Sequence, residues 1–463
     1  MSELAATRPN RAAEPWTLSE ASALLAVMLA ALVLRLHDFA LAPLPADNRD
    51  ELDWAWSGLT LITRHVPYGW SNLLAYQHSV IFAAAGTRFR LVHPFLDHPP
   101  LFSLLVGGWA WLRGARELVD VNVGVIRAVP IALSLLALLL AYMLLRRLFV
   151  AAEAMAGSVL LATSPVAVLF ARQVEAESLL AIWFLLALLL MTRVVEGETR
   201  HRYVVALCVL ALVSPFTKIT GVALAAAVAG VLITLGRWRA ALAVVLAGTI
   251  GAGLYVAYGY FFDGLHFFKI VSEWQGRRYG TFGAYEFISA ASGLGRAARD
   301  GFWVLGWMGL AVLLSRSESR PRALLAWPVL VYAGTVMLLA EDVANYGWFR
   351  ITVYPVVYGL AGVVAWRTLV RPSAPQLLLV LLLGGATAIS ALAGSSGHVW
   401  QPTAFVLTAM VSVVVLPSLL HSWRPASVPI LRIAQGTTAL TFLLLVLFNV
   451  VESFDLARVY TLV

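Results

Sequence analysis

The chain has 463 residues, of which 60% are hydrophobic and only 13% charged, with a mean hydropathy of +0.83. No soluble core needs that much apolar sequence, so composition excludes a soluble globular protein and implies an integral membrane protein. The net charge of +8 does not point to nucleic acid, because the arginines sit singly or in pairs at the ends of apolar runs, as loop charges do.

Residues 1–19 are polar and read as a cytoplasmic tail, with no cleavable signal peptide expected. Apolar runs then predict membrane spans at about 20–42, 124–146, 152–171, 175–194, 203–217, 219–235 and 240–262. After a polar stretch, further spans are expected at about 301–315, 323–340, 350–369, 376–394, 403–420 and 432–452. The expected architecture is an all-α polytopic membrane protein of roughly thirteen helices, with no internal repeat and no separate soluble domain. The lone Cys208 excludes an intramolecular disulfide and speaks against a Cys-based metal site.

One apolar piece, His98 to Leu112, is ambiguous, and loop charge decides how it is read. With a cytoplasmic N-terminus and no span at 98–112, Arg146-Arg147, Arg193, Arg237, Arg239, Arg316, Arg320, Arg367, Arg371 and Arg424 all fall inside. A span there would turn every later basic loop outward. The segment also opens with Pro99-Pro100 and carries Gly107-Gly108, so it is expected to be an interfacial or re-entrant helix. The loops 43–123 and 263–300 and the junctions 172–177, 215–218 and 341–350 are then expected on the outer side.

The 43–123 loop begins with Asp47, Asp50, Glu51 and Asp53, four carboxylates within seven residues. Carboxylates concentrated where a bilayer meets water bind a cation, hold a polar ligand or move a proton. Acids also favour helix N-termini, and an amphipathic helix is expected from about Trp54 to Thr63, broken at Pro67-Tyr68-Gly69. Capping is therefore the plainer reading of Asp53, whereas Asp50 is the first candidate for chemistry, ahead of Glu51. Further along, Asp97 and His98 read either as a hydrogen-bonded pair or as part of a site. A divalent cation held by Asp50, Glu51, Asp97 and His98 is left open.

Opposite these acids, Arg172, Lys218 and Arg350 each fall at an outer helix end in apolar surroundings. Such cations are costly unless paired or holding an anion. Pairing of Arg172 with Glu175 or Glu177, or snorkelling, accounts for any one of them. The three together favour phosphate binding, to which Arg277 and Arg278 in the 263–300 loop are expected to add. A carboxylate facing phosphate-binding cations suits attack of an alcohol on a sugar anomeric carbon while a lipid-linked phosphate leaves. The carboxylate takes the hydroxyl proton and the cations stabilise the departing phosphate.

The order of short motifs resembles a known family. Asp50-Glu51 with Ala55 is followed by Val66-Pro67-Tyr68, His98-Pro99-Pro100-Leu101 and Arg127-Ala128-Val129-Pro130. Then come Ser164-Pro165, Phe170-Ala171-Arg172, Thr217-Lys218-x-x-Gly221, Arg350-x-x-x-x-Pro355 and Gly362. Each string is weak alone; in this order and spacing they resemble the GT-C-type polyprenyl-phosphate-sugar glycosyltransferases, the group of protein O-mannosyltransferases and lipid A aminoarabinose transferases. The resemblance covers about residues 1–280 and implies a GT-C-type fold with interfacial helices in the first outer loop. It implies an inverting transferase of a bacterial-type plasma (inner) membrane whose site faces outward, taking a polyprenyl-phosphate sugar and a lipid or glycan acceptor among membrane lipids. Asp50 would be the base, with Glu51 beside it, and Arg172, Lys218, Arg350 and His98 would lie near the donor phosphate. In the aminoarabinose branch a Lys stands where this chain has His98. Asp97, Glu175 and Tyr68 are expected to shape the acceptor side.

The expected organisation is a tail (1–19), a GT-C-like module (20–262), an outer loop with an interfacial helix (263–300) and variable C-terminal helices (301–463). In the 263–300 loop, Gly276, Gly280 and Gly283 suit either a mobile flap or a passive interface anchor. A transporter is the alternative from another class, but transporters place charges near the midplane within repeats. A flippase or ligase of lipid-linked glycans also predicts outward cations, and leaves Asp50-Glu51 unexplained.

Overall fold

The computed structural model describes residues 16–45, 48–197, 201–275, 302–315, 319–339, 347–383 and 404–456. Five helices among these are long and apolar enough to cross a membrane: Leu18–Leu36, Val123–Leu148, Glu177–Val195, Trp238–Trp274 and Val428–Phe454. Nine shorter apolar helices accompany them, and Pro100–Leu112 is one of these. The fold is thus the polytopic helical bundle expected. Its core is aliphatic and aromatic, with Leu138, Tyr142, Leu185, Val357 and Tyr358 all sealed from solvent. The first helix, α1 (Leu18–Leu36), leaves Leu25, Leu29 and Val33 exposed, the side a lipid would cover.

The 43–123 loop is where fold and expectation differ. Helix α2 begins at Asp50 rather than Trp54 and runs to Arg64, so Asp50, Glu51 and Asp53 are its first turn. It ends where His65 takes a left-handed backbone (φ 58°), ahead of Pro67. Next comes a small antiparallel sheet that was not anticipated: β1 (Gly69–Trp70), β2 (Ser79–Ala84) and β3 (Thr87–Val92), in the order β1-β3-β2. Trp56 and Leu52 on α2 pack against Phe89 and Leu91 of β3, which gives the sheet an apolar floor.

Helix α3 (Pro100–Leu112) lies along α2. A Cβ on Gly58 would sit 1.7 Å from the Ser103 carbonyl oxygen, and one on Gly107 would sit 2.2 Å from the Leu59 nitrogen. The two glycines therefore let the backbones touch. Trp54, Leu59, Phe102 and Val106 fill the seam beside them. The sequence around Gly107 is spent on a neighbour in the loop.

The next helices are α4 (Val123–Ile126) and α5 (Ala128–Leu148), joined at Arg127. The run expected as one span at 152–171 is two helices, α6 (Ala151–Thr163) and α7 (Pro165–Phe170), because Ser164 caps α7 and Pro165 opens it. Helix α8 (Glu177–Val195) and α9 (His201–Thr217) follow, then α10 (Val222–Thr234), α11 (Trp238–Asp263) and α12 (Phe267–Gln275). Helix α12 is held on the sheet layer: Glu273 accepts the backbone N–H groups of Leu74 and Ala75 at 2.7 and 2.6 Å, and His266 Nε2 lies 2.7 Å from the Ala75 carbonyl.

Candidate active site

Several segments distant in sequence meet around one polar cavity of about 240 Å³. Residues 48–50 and 53 come from the start of α2, Trp70 to Asn72 from the sheet, and Phe95, Asp97 and His98 from the turn before α3. Lys218 enters from the bundle, Trp274 from α12, and Trp348 and Phe349 from the short helix Gly347–Arg350. Of the residues singled out from sequence, Asp50, Asp97, His98 and Lys218 are brought together here.

Each is positioned by local structure. Asp50 sits in the first turn of α2, and its backbone N–H is accepted by Asn48 Oδ1 at 3.2 Å. Asp97 accepts Tyr76 Oη at 2.5 Å and Ser71 Oγ at 2.8 Å. His98 stacks on Trp54 with ring centroids 4.6 Å apart and planes at 16°. The tandem prolines then start α3, since Pro100 needs no N–H partner at the first helical position.

Lys218 owes its place to a break between α9 and α10. Its backbone is extended (φ −155°, ψ 144°), and the turn Ile219–Gly221 follows. A Cβ on Gly221 would lie 2.3 Å from the Ser214 carbonyl oxygen, so the tight return needs glycine. The Lys218 ammonium stands 2.7 Å from Glu177 Oε1, 4.8 Å from the Phe349 ring centre and 5.9 Å from that of Trp54. A buried charge of this kind is held by its carboxylate partner and two aromatic faces.

Other expected site residues do not line the cavity. Glu51 points away from it and makes a buried bidentate pair with Arg127, whose guanidinium also donates to the Phe39 and Pro43 carbonyls. Arg172 is buried and caps the end of α1, donating to the Leu34 carbonyl at 2.7 Å and to that of Ala42 at 3.3 Å. Among the described residues its hydrogen bonds go to these two carbonyls and not to Glu175 or Glu177. Arg350 is buried just beyond the cavity-lining Phe349. Tyr68 stacks on His93 at 4.8 Å and does not line the cavity. Glu175 stands one layer back, 2.6 Å from Asn48 Nδ2. Arg277 and Arg278 lie outside the described residues, as does most of the 263–300 loop. Among the described residues no three His, Cys, Asp or Glu side chains are grouped to hold a metal ion, and the Glu51 that a cation site would have used is committed to Arg127.

Asp53 is the main residue that sequence reasoning passed over. It is buried on the cavity wall and accepts the Trp70 backbone N–H. Burial, reinforced by the charge of Asp50, pushes its carboxyl well above the usual carboxylate range. Starting α2 at Asp50 would have revealed it, since positions three apart share a helix face. Asn48, Trp70 and Asn72 carry no local signal of their own.

A second, apolar cavity of about 140 Å³ adjoins the first, lined by Leu96, Ile219, Tyr255, Phe267, Ile270 and their neighbours. Asp97 and Trp274 belong to the walls of both.

Comparison with known proteins finds the same kind of polytopic helical fold in a solved membrane protein and a family match over part of the chain. Residues 97–258 match the family model described as dolichyl-phosphate-mannose-protein mannosyltransferase. The fold matches a crystal structure of ArnT from Cupriavidus metallidurans bound to undecaprenyl phosphate. The TM-score is 0.55 at 18% identity, over 96% of this chain and 78% of that one. The apo form of the same protein matches with a TM-score of 0.53 at 17% identity, over 95% and 77%. No curated protein matches the sequence significantly.

Proposed function

We propose that this chain is an inverting glycosyltransferase that moves a sugar from a polyprenyl-phosphate donor to a lipid or cell-envelope glycan acceptor at the outer face of the membrane. The observation that carries the reading is the shared cavity of Asp50 and Lys218, an acid able to take a proton and a cation able to receive a phosphate. Asp50 accepts the proton of the acceptor hydroxyl as its oxygen attacks the anomeric carbon. The bond from that carbon to the phosphate oxygen breaks with its electron pair, and the configuration inverts. Lys218 and His98 stabilise the charge left on the phosphate, which is a stable leaving group and needs no acid. Trp70, Trp274, Trp348 and Phe349 give the sugar apolar faces, and the adjoining apolar cavity suits the first isoprene units of the donor. Arg277 and Arg278 remain candidates for the phosphate. Glu51, Arg172 and Arg350 support the site from behind.

The family match and the undecaprenyl phosphate bound to the structurally similar ArnT both fit this reading. Its test is the Asp50→Asn variant, followed by release of undecaprenyl phosphate from a panel of undecaprenyl-phosphate-linked pentoses and hexoses with a membrane lipid extract as acceptor. Turnover should fall by about 10²- to 10⁴-fold while undecaprenyl phosphate still binds. Unchanged turnover would remove Asp50 from the mechanism.

A further inference from the structure

Asn48 is buried on the cavity wall, two residues before Asp50. The residue between them, Arg49, occupies the N-cap position of α2 but makes no capping hydrogen bond with its side chain. Asn48 does that work instead, its Oδ1 accepting the Asp50 N–H at 3.2 Å while its Nδ2 donates to Glu175 Oε1 at 2.6 Å. A carboxamide has one accepting and one donating end. With its Nδ2 donating to Glu175 Oε1, Asn48 turns its accepting end to α2. Turned over, the carboxamide would present an NH₂ to the Asp50 N–H, and one of the four helix-start amides without an intrahelical acceptor would lose its partner.

Glu175 is itself held in place. It is fully buried in the junction between α7 and α8, where its carbonyl accepts Ser178 Oγ at 2.7 Å and the Ser178 N–H at 3.0 Å. The neighbouring Val174 N–H donates to Glu51 Oε1 at 3.2 Å, so the junction is tied to the Glu51–Arg127 pair as well. The backbone of Glu175 is thus a fixed point, and the bond from its side chain to Asn48 links it to the first turn of α2.

We propose that Glu175 is a positioning residue for Asp50, acting through the Asn48 carboxamide to set the start of α2 and the direction of the Asp50 carboxylate. The proposal rests on the reading of Asp50 as the base. Glu175 touches neither sugar nor phosphate; it sets the approach angle of the group that takes the proton.

The test compares Glu175→Gln, Asn48→Asp and the double variant Asn48→Asp/Glu175→Gln in the full-length chain. Turnover is read as undecaprenyl phosphate release, binding as undecaprenyl phosphate affinity, and folding as thermal unfolding. Glu175→Gln leaves Asn48 free to turn over, so kcat should fall by about tenfold to a hundredfold with KM and lipid affinity nearly unchanged. In the double variant the carboxylate introduced at position 48 accepts from both the carboxamide introduced at position 175 and the Asp50 N–H. There kcat should return to within about fivefold of the parent chain. Where Glu175→Gln does not fold, Asn48→Ala should show the same loss of kcat without a loss of affinity.

The proposal is overturned if Glu175→Gln turns over at the parent rate, or if kcat and lipid affinity fall together and the double variant rescues neither. An inactive Asp50→Asn beside a fully active Glu175→Gln removes only this proposal. A fully active Asp50→Asn, or a parent chain that releases no undecaprenyl phosphate from any donor, removes the base reading and this one with it.

Discussion

Glu51 and Arg127 form a fully buried bidentate pair, Nε to Oε1 at 2.9 Å and Nη2 to Oε2 at 2.7 Å, immediately beside the cavity-facing Asp50. Two adjacent acids thus face opposite duties. Removing one partner of such a pair leaves a buried charge without compensation and costs about 3–5 kcal/mol. Arg127→Met should lower the thermal unfolding temperature far more than Arg127→Met/Glu51→Gln, in which no lone charge is left. A thermal-shift series in detergent, giving equal losses for the single and the double, would contradict this account of the pair.

Lys218 has a structural partner as well as a proposed ligand. Lys218→Met strands Glu177 in the interior and should destabilise the chain, while Lys218→Met/Glu177→Gln should recover much of the stability. Donor affinity should stay weaker in both, by about tenfold to a hundredfold for one lost charged hydrogen bond. Unfolding temperature and undecaprenyl phosphate binding, measured on the same preparations, separate the two effects. Recovery of both together in the double variant would deny Lys218 a part in phosphate binding.

The contact between α2 and α3 is unforgiving at one glycine and open at another. Gly58→Ala places a methyl group 1.7 Å from a backbone oxygen, whereas Gly108→Ala meets only Ile62 Cδ1 at 3.8 Å. Gly58→Ala should therefore cost about 1–3 kcal/mol or more, and Gly108→Ala should be close to neutral. Equal unfolding temperatures for the two variants would mean that the helices separate freely.

Asp53 gives a pH dependence whose sign follows from its raised pKa. In the unfolded chain its proton leaves near the ordinary value of about 3.9, while the folded chain holds it to higher pH. The folded state gains stability from this group below the unfolded pKa and loses it as pH rises through the folded pKa. Asp53→Asn keeps an oxygen for the Trp70 N–H and removes the ionisation. Relative to the parent, it should gain stability progressively as pH increases from about 4, then level off above the folded pKa of Asp53. A pH series of thermal unfolding for both chains decides it, and parallel curves would show that Asp53 ionises as it does in water.

Helices were legible because a membrane span is written locally, as one unbroken apolar run, and the tandem prolines announced the start of α3. The small sheet was not. Its strands are two to six residues long, and their apolar side rests on Trp56 and Leu52 of a helix earlier in the chain. Asp50, Asp97, His98 and Lys218 could be picked out because each is polar at the edge of an apolar stretch. Arg172 misled for a physical reason. A cation at a helix end looks the same in sequence whether it waits for a ligand or, as here, caps the carbonyls at the end of another helix. Glu51 drew attention as the neighbour of Asp50, yet successive residues on a helix point about 100° apart, enough to put one in the cavity and the other against Arg127.

Asp97 and Trp274 face a wet compartment and a greasy one at the same time. The turn that carries Asp97 is pinned through Tyr76, and the helix that carries Trp274 is pinned to the same stretch through Glu273 and His266. A party wall of this sort cannot be moved for one tenant alone. Remodelling it to admit a bulkier group on one side redraws the room next door, so on the proposed assignment of sugar and lipid to the two cavities, tolerance for a new sugar and tolerance for a new lipid tail are inherited together.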